Sequence, residues 1–392
     1  MRNTPDLYNT LFQILGQHKH WLDIRHLHTL SWMIVGLLRS KTVSLPEWAA
    51  FVDSRAQFAQ STVRRFSRWL HNNRIHVNKL YAPIIQTSLI SWQGTTIYLA
   101  LDTSMLWNEF CHIRLSVIYR GRAVPLVWKT IEHGSSTVAF AAYKDLLLQA
   151  AKLLPLDAKV VFLADRGFAD TILMKYLSQI LHWHWRIRIK SSFYVYRGQR
   201  RIKISNVKLK RGAGFFWHNV YITEKQFGAV HLTLAKSHGT KENWFIVSDE
   251  PTDLHTFDEY GLRFDLEENF LDDKSGAFQL ESSLFRSAEA ISRLCLVLAI
   301  ATLFLVSQGT EVVASGKRRW VDAHWNRGNS YLKIGWKWVM RALIKGYELI
   351  SRMLLSPLPD PEPAIASRKQ HKKRKEKRIW VLVTTIYQPS LD

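Results

Sequence analysis

The chain of 392 residues can bury a large core, because 47% of its residues are hydrophobic and only 22% are charged. Its 54 Lys and Arg residues outnumber its 32 Asp and Glu residues, which leaves a formal net charge of +22. An excess of positive charge of this size predicts a polyanionic partner, and nucleic acid is the first candidate. It argues against acidic small-molecule substrates. The two cysteines exclude a disulfide framework and a cysteine-rich zinc site, and they favour a reducing cytoplasm.

The first ninety residues predict short amphipathic helices and hold eleven basic against four acidic residues. Ser44 and Glu47 have the spacing of a capping box, so a helix is predicted from there to about residue 52. A second helix is predicted over 61–72, with a Ser or Thr cap. Its outer side carries three arginines: Arg64, Arg65 and Arg68. This arrangement predicts a DNA-binding domain whose basic helix enters a major groove, with a merely solvated basic face as the alternative.

From residue 95 the hydrophobic pattern becomes that of an α/β fold. Three strands are predicted, then a helix, a strand and a second helix: 96–101, 113–120, 123–131, 137–154, 159–164 and 170–180. This order is that of a ribonuclease H-like core with a mixed sheet. Residues 183–191 alternate strictly and predict a strand with one basic face, formed by Arg186, Arg188 and Lys190.

The remaining segments complete a division into six parts. Glycine-rich strand patterns predict an all-β insertion, and residues 294–306 are too short an apolar run for a membrane span, so they predict a core helix. No membrane partner is therefore expected. The predicted parts are a helical DNA-binding domain (1–90), the first part of the ribonuclease H-like core (91–191), the β insertion (192–248), the rest of the core with the catalytic Glu helix (249–290), a helical C-terminal region (291–356), and a proline-rich linker with a basic tail (357–392).

Two carboxylates follow buried strands, and a helix offers a third. Asp102 and Asp165 each close an apolar run, where an acid is either a ligand at the sheet rim or an ordinary turn or cap former. Together they indicate a hard cation such as Mg²⁺. At about 100° per residue, a helix over 257–274 would carry a polar stripe on one face, namely Tyr260, Arg263, Glu267 and Lys274. An exposed salt-bridged face is the alternative explanation of this stripe.

The spacing of this stripe reproduces a known signature. The four residues match Y-(2)-R-(3)-E-(6)-K, and the chain therefore resembles the DDE transposases of the insertion-sequence-4 family, which includes the bacterial Tn-ten and Tn-five elements. The order Asp102, Asp165, Glu267 with a β-rich stretch before the glutamate is also similar to that family, as are residues 164–168 and 244–251.

The resemblance implies cut-and-paste transposition in the bacterial cytoplasm. The three acids would be catalytic and would bind two Mg²⁺ or Mn²⁺ ions, while Tyr260, Arg263 and Lys274 would position DNA phosphates. Trp244 would stack on a flipped base, with a core position as the alternative. The implied partners are double-stranded DNA, both inverted-repeat ends and target, and a second copy of the chain in the synaptic complex. A ribonuclease H-like nuclease without strand transfer, or a non-catalytic DNA-binding relic, are the alternative functions.

Overall fold

The computed structural model describes residues 4–18, 21, 23–54, 56–236, 243–271, 278–283, 285–324 and 329–362. Lys274 and the basic tail from residue 363 onward, both of which carry predictions, lie outside the described residues.

The centre of the fold is one mixed sheet of ten strands within the described residues. The strands are β1 (Thr96–Leu106), β2 (Phe110–Tyr119), β3 (Arg122–Glu132), β4 (Lys159–Ala164), β5 (His184–Arg188), β6 (Tyr194–Arg197), β7 (Arg200–Lys203), β8 (Gly214–Ile222), β9 (Phe227–Lys236) and β10 (Asn243–Ser248). Their order is β3-β2-β1-β4-β5-β10-β9-β8-β6-β7. The β1–β4 and β4–β5 pairs are parallel, whereas the other pairs with a described register are antiparallel.

Twelve α-helices are described around this sheet. They are α1 (Thr4–Gly16), α2 (Ile24–Ser40), α3 (Leu45–Ala49), α4 (Ala59–Leu70), α5 (Val77–Ser88), α6 (Phe140–Leu153), α7 (Thr171–Gln179), α8 (His255–Gly261), α9 (Phe264–Leu271), α10 (Ala288–Ala314), α11 (Arg318–Val321) and α12 (Tyr331–Lys345). Successive strand residues point to opposite faces, so β1 serves two cores. Leu99 and Leu101 belong to the main core, whereas Ala100 packs with Leu266 and Phe270 of α9.

Helix α10 is the central helix of the main core. It packs against β3, α2, α4, α5 and α12. It is long and apolar enough to cross a membrane by length and composition, and 94% of its most apolar window is buried inside the protein. The burial agrees with the interpretation of residues 294–306 as a core helix. Its polar residue Arg293 donates to the carbonyl of Leu70, which ties α10 to the end of α4.

The N-terminal helices do not have a core of their own. Buried residues from α1 and α2 belong to the same hydrophobic cluster as those of α10 and α12. The indole of Trp336 on α12 also donates to the carbonyl of Leu38 on α2. Buried residues on both sides of residue 90 therefore share one core, and the domain boundary at residue 90 stays a prediction. The predicted helix over 61–72 is α4, but it begins two residues earlier at Ala59, and Ser44 makes no side-chain cap bond to α3.

The segment after residue 192 consists mainly of strands, as predicted for the β insertion. Its strands do not form a separate sheet, because β10 pairs with β5 and β9, and so extends the core sheet. The first residues of the predicted proline-rich linker contact the rest of the protein. Arg318 donates a hydrogen bond to the carbonyl of Glu362, and Arg120 donates one to the carbonyl of Leu358. Residues 357–362 therefore lie against the body of the protein and do not act as a free spacer.

Candidate active site

Strand pairing places the two predicted aspartates side by side. The parallel register of β1 and β4 ends with the pair Leu101 and Ala164. Asp102 and Asp165 are the next residues on the two strands, so their backbones are separated by about one strand spacing, ~4.8 Å. The prediction that Asp102 ends its strand is wrong, because β1 continues to Leu106 in its pairing with β2. The parallel pairing of β1 with β4 ends at this point.

Backbone amides hold both aspartates in place. Asp102 Oδ1 accepts a hydrogen bond from the amide of Thr103 at 2.8 Å. Asp165 Oδ1 accepts one from the amide of Gly167, also at 2.8 Å, and caps the short turn over 166–168. A Cβ atom at position 167 would lie 3.0 Å from this Oδ1. Glycine at 167 therefore keeps room around the carboxylate of Asp165.

Arg263 connects the third predicted acid to the first. Its Nη1 lies 3.4 Å from Asp102 Oδ2, and its Nη2 lies 2.5 Å from Glu267 Oε1. The side chain of Arg263 is only 5% exposed, whereas that of Glu267 is 50% exposed. The guanidinium thus stands between two of the three predicted carboxylates as their counter-charge.

The surroundings shift the pKa values of both Asp102 and Arg263. Burial raises the pKa of Asp102 to about 6, against the opposing effects of Arg263 and the Thr103 amide. The nearby charges of Asp165 and Glu267 add to the rise. Burial also works against the charged form of Arg263, but Tyr260, Glu267 and Asp102 together raise its pKa above the ordinary value. Asp102 therefore takes up a proton at a higher pH than an ordinary aspartate does.

The predicted single helix over 257–274 is broken. It consists of α8 and α9, which are separated at Leu262 and Arg263. The polar stripe is therefore not a continuous face, and Tyr260 points away from solvent, with no exposed surface. Arg263 reaches the acids because it lies at the break and not because it shares a helical face with Tyr260.

Trp244 and Tyr260 belong to an aromatic cluster. The Trp244 ring lies edge-on to that of Tyr260, with centroids 5.6 Å apart, and it also contacts Phe257 and Phe264. Trp244 is half-buried in this cluster. This is the core position that the sequence left open as an alternative, and the role of Trp244 in base stacking stays a prediction.

A buried ionic network that the sequence did not reveal anchors α8 to the sheet. Glu259 accepts from the hydroxyl of Tyr98 on β1 at 2.9 Å and from Nε of Arg186 on β5 at 2.8 Å. Arg186 also donates to Glu250 at 2.7 Å. The predicted basic face of β5 is therefore wrong for Arg186, which is buried under α8. The sequence could not reveal this network, because the partners of Glu259 come from strands that are distant in the chain.

The three N-terminal arginines lie on α4, which packs against α2, α3 and α10. Arg64 and Arg68 are exposed, as predicted for an outer face. Arg65 is half-buried and lies over the ring of Phe66 at 5.5 Å, and burial lowers its pKa. Contact of this helix with DNA stays a prediction, for which Arg64 and Arg68 are the better-placed residues.

The carboxylates have the right chemistry for a hard divalent cation, since their donors are all oxygen atoms. Within the described part of the chain, however, no three His, Cys, Asp or Glu side chains are arranged so that they could hold a metal ion. Arg263, which is bonded to both Asp102 and Glu267, lies between these two carboxylates. Three carboxylates against one guanidinium leave a net charge that suits a divalent cation, once Arg263 releases a carboxylate.

Comparison with known proteins finds similarity among solved structures. No family model matches the chain, and no curated protein matches it either. The cryo-EM structure of a piggyBac transposase synaptic complex with hairpin DNA is similar with a TM-score of 0.42 and 12% sequence identity, over 95% of this chain and 87% of that chain.

Proposed function

We propose that the chain is a metal-dependent DNA transposase of the DDE type, with Asp102, Asp165 and Glu267 as its catalytic carboxylates. The observation that carries the proposal is the end of the β1–β4 pairing, which sets the two aspartates side by side, while Arg263 ties Glu267 to Asp102. The order β3-β2-β1-β4-β5, with only the β1–β4 and β4–β5 pairs parallel, supports a ribonuclease H-like core.

The three carboxylates would hold two Mg²⁺ or Mn²⁺ ions, which supply an activated nucleophile and charge stabilisation at the leaving oxygen. Asp102 must first lose its proton, since its pKa is raised to about 6. Arg263 must give up its bond to Glu267 or Asp102. Its planar guanidinium could then donate two parallel hydrogen bonds to a DNA phosphate, the geometry for which arginine is best suited.

We further propose that one site carries out cut-and-paste transposition in successive steps. Water would cut one strand at the transposon end, and the freed 3′-hydroxyl would attack the opposite strand to form a hairpin. Water would then open the hairpin, and the 3′-hydroxyl would finally attack a phosphate of target DNA. Each step forms one P–O bond and breaks another, so one set of acids suffices for all. From the resemblance, the proposal also includes Lys274 as a residue that positions DNA phosphates, and a second copy of the chain in the synaptic complex.

A joining assay tests the proposal. Labelled DNA taken from both flanks of the coding region is incubated with the protein, Mg²⁺ and a second duplex. End cleavage followed by joining to the second duplex is expected, and Asp102→Asn or Glu267→Gln should reduce both by about three orders of magnitude, because these acids act as one unit. Asp258→Asn, an exposed acid on α8, is the matched control and should keep activity.

Two results would overturn the proposal in different ways. Cleavage without joining would identify a nuclease of the same fold. Tight DNA binding without any cleavage by the wild-type protein would identify a DNA-binding relic.

A further inference from the structure

The edge of the sheet formed by β7, which is the strand farthest from β1, is strongly basic. Residues 190–211, here called the basic edge, include β6 and the edge strand β7 and contain no Asp or Glu. Their eight basic residues are Lys190, Arg197, Arg200, Arg201, Lys203, Lys208, Lys210 and Arg211. None of these residues belongs to the candidate active site.

Most of this charge faces solvent without an acidic partner. Arg200, Arg201, Lys208, Lys210 and Arg211 are exposed. Among the described residues, Arg201 alone of the eight forms a salt bridge, to Glu224 at 3.0 Å. Both side chains of that pair are exposed, so the bond contributes little and an external anion can compete for it. The basic edge is therefore free to bind a polyanion.

Aromatic rings hold two of these arginines in place. In the β6–β7 hairpin, Tyr194 lies opposite Lys203 and Tyr196 opposite Arg201, and directly opposed residues share a face. The Arg201 guanidinium lies over the Tyr194 ring at 3.8 Å. On the other face, Arg197 lies over Trp217 at 4.7 Å. Arginines that are already positioned lose less side-chain entropy when they bind a phosphate.

We propose that the basic edge binds the phosphate backbone of duplex DNA outside the candidate active site. The inference rests on the proposed function only for the identity of the polyanion. Seven strand steps separate β1 from β7, which at ~4.8 Å per step is about 34 Å along the sheet. This distance is about ten base pairs, or one turn of B-DNA. One face of a duplex could therefore contact both the site at Asp102 and the basic edge.

The simplest alternative is that these charges only protect the edge strand. Lys and Arg on an edge strand prevent it from pairing with another sheet, and β7 has no neighbour on one side within the described residues. Protection would account for charge on the strand itself. It does not account for Lys208, Lys210 and Arg211, which follow β7 and lie outside any strand.

Salt-dependent binding of the full chain separates the two explanations. Affinity for a random-sequence duplex is measured by fluorescence anisotropy in EDTA, so that cleavage plays no part. The triple variant Arg200→Gln, Arg201→Gln, Lys203→Gln should reduce the slope of log affinity against log salt by about 2 to 3, and weaken binding at least tenfold at about 0.1 M salt. The control Lys333→Gln, Lys337→Gln, Lys345→Gln removes three exposed charges from α12 and should leave the slope unchanged.

Further variants and probes keep the result interpretable. Arg200→Lys with Arg201→Lys retains the charge and should retain the slope, which would show that the slope follows the charge at these two positions. A triple variant that binds DNA like its control but self-associates in size-exclusion chromatography would assign the charge to edge protection and overturn the proposal. The proposal would also be overturned if the triple variant lost affinity for double-stranded RNA but kept its affinity for duplex DNA. Failure of the joining assay with the expected salt slopes intact would leave this inference standing and remove only the proposed function.

Discussion

At the scale of single residues, the candidate site is a balance of buried charge. Asp102 is mostly withdrawn from water, and its carboxylate is compensated by the Arg263 guanidinium and the Thr103 amide. Burial nevertheless outweighs both, so the pKa of Asp102 is raised to about 6. A buried acid whose compensation is incomplete is ready to accept a further cation, whether a proton or a metal ion.

The raised pKa of Asp102 makes stability depend on pH. The folded protein keeps this proton up to about pH 6, whereas the unfolded chain loses it near 3.8. The stabilising effect of the proton is therefore full below pH 3.8 and lost as the pH rises through 6. Asp102→Asn mimics the protonated form. In urea unfolding with EDTA, we expect its stability relative to wild type to increase by about 2 kcal/mol between pH 4 and pH 7.5. A stability difference between Asp102→Asn and wild type that is the same at both pH values would contradict the raised pKa of Asp102.

Removal of Arg263 should increase the affinity for a divalent cation. Arg263→Gln takes away a positive charge that is bonded to Asp102 and Glu267, and the repulsion between unit charges in this range is about 1 kcal/mol or more. We expect Mn²⁺ to bind about three- to tenfold more tightly at pH 8, measured by electron paramagnetic resonance. The control Arg286→Gln removes an exposed arginine near Glu109 and should have no effect. Weaker Mn²⁺ binding by Arg263→Gln would show that Arg263 does not compete with the ion.

At the scale of secondary-structure elements, local patterns predicted strands better than helix ends. The three-strand meander and β4 lie where the hydrophobic pattern predicted them, although β1 continues beyond its predicted end to Leu106. The break between α8 and α9 was missed, because residues 257–274 have helical periodicity on both sides of it. The break lets α8 pack on the aromatic side, with Phe216 and Ile246, while α9 covers Ala100 on β1. Two different packing surfaces therefore override a single periodic pattern.

The ionic anchor of α8 is expected to be important for stability. Glu259 is buried and accepts from Tyr98 and Arg186. In Glu259→Gln, Arg186 stays buried with one fewer charged partner, which should cost about 2–4 kcal/mol in the free energy of unfolding. Urea denaturation measures the loss. Asp258→Asn changes the exposed neighbour on the same helix and should stay within about 0.5 kcal/mol of wild type. Equal stabilities of the two variants would contradict the anchoring role.

At the scale of the whole molecule, α10 joins the parts that the sequence suggested were separate. Its backbone meets that of α12 at two glycines, Gly309 and Gly335. The same helix packs against α2 and α4 from the N-terminal region and against β3 of the sheet. The basic helix α4 and the candidate active site are therefore carried by one continuous packed body.

A methyl group at this crossing should destabilise the entire fold. A Cβ atom at position 335 would lie 1.8 Å from the carbonyl oxygen of Leu305, which is backbone and cannot turn away. Gly335→Ala should lower the free energy of unfolding by at least about 3 kcal/mol in a urea titration. Gly261→Ala, where an added Cβ would meet nothing within 4 Å, is the control and should cost less than about 1 kcal/mol. A Gly335→Ala protein as stable as the control would mean that the helices separate at little cost.

The sequence by itself determined the features that depend on neighbouring residues. Alternation and apolar runs indicated β1 to β4, the Asp102 and Asp165 positions follow directly from those strands, and composition indicated a polyanionic partner. Tertiary structure decided what depends on distant residues. It set Arg263 between Asp102 and Glu267, buried Arg186 under Glu259, and merged the predicted parts around α10. The physical reason is that periodicity shows which face of an element is buried, but not which element covers it.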